Sequence, residues 1–528
     1  MLAWVTFIPL IGAFAVMLTR KDDRRGIELV GLIASIITLV LAISLLAGFG
    51  GSFETMKFVI RHDWVHTLGI EFHVGVDGIS LWMVLLSAFL TPICIIFSTG
   101  SITRGYREFV ILLLVLETSM IGVFVSLDLI LLFIFWETTL VPMYFLIGVW
   151  GSEHRIQSAM KFFIYTMFGS VLMLVAILLL HHAGFALGMR TFNLLDCPII
   201  VQKALSPRMA SVIFWFFFIA FAIKVPMFPF HTWLPDAHTD APTAGSVILA
   251  GVLLKMGAYG FLRILLPLFP REAMDFALFI SVLAVIGIIY GAWVATMQPD
   301  MKRLVAYSSI SHLGFIVLGI FTFTIEGMTG GLLQMVNHGL TTGALFLIVG
   351  MLYDRTHTKL IEKYGGISRI MPFFSACFMI IMFTSIGLPG LNGFIGEFLV
   401  LVGSAKAANL GSFTGASIIL TVLAASGVIW AAVYMLWMFQ RVMQGPIKHE
   451  ENKILKDINV REKWALVSII LICIFIGLYP KPFTKPMEAP LKKIIDRIHY
   501  IQQGSESGSG ISNKELENYL KNEKGGAE

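Results

Sequence analysis

Long apolar runs, separated by short clusters of charged and turn-forming residues, repeat along nearly the whole chain. A helix crosses the hydrocarbon core of a bilayer with about 20 apolar residues. Runs of that kind lie near 2–19, 27–48, 78–99, 108–127, 129–148, 158–181, 210–231, 242–266, 275–297, 303–323, 328–352, 372–403, 412–440 and 463–480. The pattern predicts an all-α polytopic bundle of about fourteen transmembrane helices. Lys and Arg concentrate in the odd-numbered connections, beginning with Arg20, Lys21, Arg24 and Arg25. By the positive-inside rule those connections are cytoplasmic and both termini face outward. No cleavage signature follows the first run, so it reads as a retained span.

Two runs carry prolines near their middle: Phe221-Ala-Ile-Lys-Val-Pro-Met-Phe-Pro-Phe230 in the seventh, and Ser385-Ile-Gly-Leu-Pro-Gly-Leu-Asn-Gly-Phe394 in the twelfth. Proline lacks a backbone donor and collides with the preceding turn, so both helices should break inside the membrane. Counted from the fourth span, each broken run is fourth in a set of five. Five is odd, so the two sets lie in opposite orientations, and paired breaks in inverted repeats point to a transport site near the midplane. The alternative is a pair of ordinary proline kinks.

Composition sharpens this picture. The 528 residues are 57% hydrophobic and only 13% Asp, Glu, Lys and Arg, against about 25% charged in soluble proteins. A soluble enzyme is excluded. The net charge of +5 is spread by membrane side and makes no nucleic-acid patch. Cys94, Cys197, Cys377 and Cys473 include no C-x-x-C pair, so a zinc or iron–sulfur cradle is not expected. Nor does a glycine-rich dinucleotide loop follow a strand.

Against that apolar background, Glu117, Glu137, Lys224, Lys255, His312, His338 and Glu397 fall near the middle of spans. Each carboxylate or lysine there costs on the order of 2.5–3.5 kcal/mol. One such group reads as a structural ion pair; a series at similar depth on successive helices reads as a polar path. Carboxylates, amines and imidazoles all exchange protons. Lifting a proton against 150–200 mV takes about 3.5–4.6 kcal/mol, which lies within what burial and ion pairing do to a lysine. Lys224, two residues before Pro226, is the switch candidate and Glu137 its expected partner. Lys255, His312 and His338 would relay protons sideways, with Glu397 as the terminal exchange group. For the histidines, a helix-to-helix hydrogen bond is an equal alternative.

Other polar groups have plainer readings. Asp240 or Thr243 caps the eighth helix, although Asp236, His238 and Asp240 also suit a proton inlet. Asp300, Lys302 and Arg303 form a cytoplasmic anchor, and His181 and His182 sit at a helix end. Residues 481–503 suit either an amphipathic interfacial helix or a solvated extension. Gly504 to Gly510 is a flexible linker, with a charged, disordered end.

The motifs Gly75-Val-Asp-Gly-Ile-Ser80, Phe135-Trp-Glu137, Lys224-Val-Pro, Phe230-His-Thr-Trp-Leu-Pro-Asp-Ala-His238, Leu253-Leu-Lys-Met-Gly-Ala-Tyr-Gly260, Tyr307-Ser-Ser-Ile-Ser-His-Leu-Gly314 and Asn337-His-Gly339 resemble the antiporter-like membrane subunits of respiratory complex I, over about residues 1–480. Glu397 stands where sister subunits carry lysine. The resemblance implies N-terminal helices in 1–107 and two inverted five-helix half-channels in 108–267 and 268–442. A last span and its lead-in follow in 443–480, and a tail in 481–528. It implies a Glu137–Lys224 pair, Lys255 as the link, His312 and His338 on a central axis, Glu397 on the exit side, and Glu117 near a neighbouring subunit. It further implies a proton-translocating part of an NADH:quinone oxidoreductase in a bacterial inner membrane, in contact with other membrane-arm subunits. This chain would hold no cofactor; NADH, FMN, iron–sulfur clusters and quinone would belong to partner subunits. The rival reading is a multisubunit cation/proton antiporter.

Overall fold

The computed structural model describes residues 1–51, 53, 55–407 and 416–506. The N-terminal helices are α1 (Leu2–Leu18), α2 (Arg24–Gly48) and α3 (Ser80–Ser101). The first five-helix set is α4 (Tyr106–Val125), the pair α5 (Leu129–Thr138) and α6 (Leu140–Trp150), α7 (Arg155–Gly184), then, after the connecting α8 (Cys197–Ala204), the broken pair α9 (Pro207–Lys224) and α10 (Trp233–Asp240), and the run α11 (Thr243–Ile248), α12 (Leu254–Gly260) and α13 (Leu266–Leu268). The second set is α14 (Pro270–Thr296), α15 (Met301–Ile320), α16 (Ile325–Thr356), the broken pair α17 (Pro372–Ser385) and α18 (Asn392–Lys406), and α19 (Ser417–Met443). The chain continues through α20 (Val460–Leu478) and α21 (Lys481–Glu506).

Among the described residues, eleven helices are long and apolar enough to cross a bilayer alone. The difference from the fourteen runs has local causes. α1 has 17 residues, the twelfth run is divided into α17 and α18, and α20 is joined to α21 across a 69° bend. The α11–α13 run and α16 are enclosed by other helices along their apolar lengths, whereas α2 and α19 turn most of theirs outward. The enclosed helices therefore form the centre of the bundle, and four of the unexpected polar residues sit on or beside them. Close packing there depends on small residues: a Cβ on Gly330 of α16 would stand 2.7 Å from Leu399 Cβ and from Val400 N of α18.

Both breaks are supported by substitute hydrogen bonds. At the first, Val225 N and Met227 N donate to Phe221 O and Ala222 O, and Trp233 Nε1 donates to Ile223 O at 3.0 Å. At the second, Leu388 N donates to Phe383 O at 3.0 Å, and the backbone passes through Gly387 at φ +74° and Gly390 at φ +93°, conformations that favour glycine. Irregular backbone at membrane depth is tolerable only where its polar groups find partners in this way, and at the second break the tip residues Leu388 and Pro389 stay exposed on this chain.

Two features depart from the sequence reading, and a third, the helix after residue 480, takes the amphipathic of its two alternatives. An antiparallel hairpin, β1 (Lys57–Val65) with β2 (Ile70–Val76), fills the connection between α2 and α3. Residues 481–506 form a continuous helix that buries Met487, Leu491, Ile494, Ile495 and Ile498 and exposes Lys485, Glu488, Lys492 and Asp496. Gly504 to Glu506, expected within a linker, belong to that helix; the rest of the expected linker and the charged end lie outside the described residues, as does the start of the 412–440 run. Finally, Arg263 lies buried in the bundle and donates to Asp77 at 2.5 Å and to the Tyr259 hydroxyl at 3.1 Å, while Tyr259 donates to Phe124 O at 2.8 Å. That network ties α3, α4 and the eighth-span run together.

The hairpin is tied to α5 by Asp128. Its carboxyl accepts from Ile130 N and Leu131 N at the helix start and from Glu71 N of β2 at 3.2 Å. Burial pushes the carboxyl up to about 6, although these backbone donors pull the other way. A raised folded value contributes stability that is fully present below the ordinary carboxylate range and lost as pH rises through about 6. Asp128→Asn keeps an acceptor and cannot ionise. It should therefore flatten the fall in thermal stability between about pH 4 and 6, a swing on the order of 2–3 kcal/mol. A variant melting curve parallel to that of the parent across this range would contradict the assignment.

Candidate functional site

Lys255 stands on α12 between two π-helical turns, Leu249–Leu253 and Phe261–Leu265. Its ammonium is fully buried, donates to Ala250 O and meets His338 Nδ1 at 2.7 Å. An ammonium has donors only, so Nδ1 accepts when Lys255 carries its proton. His338 lies on the enclosed helix α16, and its ring faces that of His312 on α15 with centroids 5.8 Å apart. His312 Nδ1 in turn meets Glu397 Oε1 of α18 at 2.7 Å. Four of the seven sequence-predicted residues thus form one series across four helices, from the middle of the eighth span to the second break.

The carboxylate end is held by Gln334, which the sequence reading left out, and by Asn337, which it named only within a motif. Gln334 Nε2 donates to Glu397 Oε1 at 3.1 Å, and Asn337 Nδ2 donates to Gln334 Oε1 at 3.4 Å and to Asn392 O at 2.7 Å. A signal for them existed. Gln334, Asn337, His338, Thr341 and Thr342 recur at helical spacing, so they line one face of α16.

The other three residues stand apart from this series. Lys224, the last residue of α9, is 2% exposed and its Nζ has no hydrogen-bond partner. It lies 5.5 Å from the centre of the Trp136 ring and 6.0 Å from that of Phe162. Glu137 Oε1 is likewise buried without a hydrogen-bond partner, so the expected pair is open in this conformation. Glu117 is completely buried inside the chain, with both carboxyl oxygens unpartnered.

Several plainer expectations need correction. The start of α11 has no side-chain cap, because Asp240 instead accepts from Ser152 Oγ at 2.7 Å and Ser158 Oγ at 2.6 Å, joining α7 to α10. Lys302 is not a headgroup anchor: it is buried and donates to Ala241 O. Asp300 caps α15 through Arg303 N, and Arg303 pairs with Asp236 at 3.1 Å. His181 and His182, by contrast, stand in the last turn of α7 as expected, with His181 packed flat against Phe192 at 4.0 Å. His238 is fully buried, stacked on Phe346 at 4.6 Å, with neither ring nitrogen bonded. Among the described residues no group of three or more His, Cys, Asp and Glu could hold a metal ion.

A series of amine, imidazole, imidazole and carboxylate can pass protons without any redox group, since each member binds and releases a proton. Comparison with known proteins agrees with that chemistry. Residues 126–424 match the NADH:quinone oxidoreductase/Mrp antiporter transmembrane family model. The chain is 44% identical over 482 residues to NADH-quinone oxidoreductase subunit M of Rickettsia typhi, covering 90% of this chain and 94% of that one. It superposes on a chain of respiratory complex I from Thermus thermophilus with a TM-score of 0.84 at 30% identity, over 94% of this chain and 100% of that chain. A chain of the Mrp complex from Dietzia shares the fold, with a TM-score of 0.82 at 18% identity over 95% of this chain and 98% of that one. The chain belongs to the NADH:quinone oxidoreductase/Mrp antiporter transmembrane family.

Proposed function

We propose that the chain is a proton-translocating, antiporter-like membrane-arm subunit of an NADH:quinone oxidoreductase in a bacterial inner membrane, with both termini on the outer side. The observation that carries this reading is the buried series Lys255, His338, His312 and Glu397, joined at two points by 2.7 Å contacts. Residues 108–267 and 268–442 serve as the two half-channels, meeting at Lys255. Lys224 is the switch. When Glu137 approaches, the ammonium is stabilised; when the pair opens, as in this conformation, the lysine sits among aromatic rings with no hydrogen-bonded partner and gives up its proton toward Lys255. Quinone reduction, with NADH, FMN and iron–sulfur clusters, proceeds in partner subunits and reaches this chain as a change in the charge or position of groups near Glu137.

Affinity purification of the tagged chain from native membranes tests this reading. The expected outcome is recovery with NADH dehydrogenase activity and iron–sulfur absorbance. Recovery in a complex that lacks both and drives sodium-dependent proton flux would favour the antiporter instead.

A further inference from the structure

Asp236 stands in the middle of α10, the eight-residue helix that follows the first break. A helix of about two turns makes too few internal hydrogen bonds to hold its own place, so its neighbours set its position. Its start is tied to the end of α9 by the bond from Trp233 Nε1 to Ile223 O at 3.0 Å, one residue before Lys224. From α7, Lys161 Nζ donates to Thr232 O at 2.8 Å and to Asp236 Oδ2 at 2.6 Å, and the Tyr165 and Thr232 hydroxyls meet at 2.8 Å. All of these partners belong to the first five-helix set.

The other carboxyl oxygen reaches the second set. Asp236 Oδ1 accepts from Arg303 Nη1 of α15 at 3.1 Å. Arg303 is fixed in turn at the start of α15, where its backbone N donates to the capping Asp300 at 3.0 Å. Farther along the same helix, about 14 Å on, stands His312 with its bond to Glu397. A carboxylate has room for both cations, one on each oxygen, so neither partner displaces the other. We infer that Asp236 is a positioning residue for proton transfer: it ties the segment after the first break to α15, so that a change at Lys224 reaches the second half-channel through Trp233, α10 and Arg303. This link runs beside the buried series through Lys255, and it rests on the proton-path reading. The side chains are partly exposed, Asp236 by 28%, Lys161 by 34% and Arg303 by 38%, which makes the tie a weak one that can adjust as the break changes state.

Arg303→Gln and Asp236→Asn in the intact, membrane-embedded complex test the link. Each is expected to lower maximal NADH:quinone turnover per assembled complex roughly two- to fivefold, the range of a partly exposed ion pair, with the KM for quinone unchanged. Arg303→Lys, which keeps the charge, should restore most of the rate. The double variant should lose no more than either single one, because both remove the same contact. Parent-like turnover in both single variants, or losses that simply multiply in the double variant, would overturn the inference. So would a loss confined to the amount or melting temperature of the complex, which is all that a merely structural pair would give. If Lys224→Met abolishes pumping while Arg303→Gln turns over like the parent, the proton-path reading stands and the link falls. Slowed turnover in Arg303→Gln, combined with full pumping by Lys224→Met and Glu397→Gln, would uphold the tie between the two sets and remove the proton-path reading beneath it.

Discussion

Replacing Lys224 by methionine is expected to abolish proton flux through this subunit in a complex that still assembles, a loss on the order of a hundredfold or more for removing an acid–base group. Methionine fits the apolar setting made by Trp136 and Phe162, so the packing near the first break survives while the titrating amine is gone. Lys224→Arg separates charge from titration. Arginine keeps the positive charge beside Glu137 but does not release its proton at any physiological pH, so it should fail as well. Dye quenching in inverted membrane vesicles, with native electrophoresis to confirm assembly, reads both variants. Full quenching by the arginine variant would mean that Lys224 supplies only a fixed charge.

Arg263→Met should cost about 3–5 kcal/mol, the penalty for leaving one member of a buried ion pair without the other. Asp77 would then remain enclosed beside the start of α3, and the Tyr259 link to α4 would lose its anchor. The expected readouts are loss of the chain from the membrane and a lower melting temperature of whatever assembles. Adding Asp77→Asn removes the orphaned charge and should recover a substantial part of the loss, because contacting residues couple. A double variant as unstable as the single one, or worse, would show that the pair is not the source.

Much of this arrangement was legible before any coordinates. A bilayer forbids unsatisfied backbone and makes every charge conspicuous, so apolar runs marked the helices and Lys224, Lys255 and Glu397 stood out against them. Both breaks were readable from their prolines. What escaped the pattern has physical reasons. The hairpin lies outside the apolar runs, where hydropathy carries no signal; β1 is largely exposed, and β2 is buried only over its second half. Arg263 sits near the end of an apolar run, where a charge normally reaches water, and only the fold reveals that Asp77 meets it inside. Gln334 and Asn392 are uncharged, so composition gave them no weight, yet they decide what Glu397 and the break can bond. The openness of the Glu137–Lys224 pair is a property of one conformation and has no sequence counterpart.

The most direct test of the account is the number of protons translocated per electron in proteoliposomes containing the Glu397→Gln complex. Glutamine preserves the shape at α18 and can still bond to His312 and Gln334, but it cannot take up and release a proton at that position. The account predicts a lower ratio than the parent complex shows, with assembly intact. An unchanged ratio would contradict the claim that the buried axis ending at Glu397 carries protons.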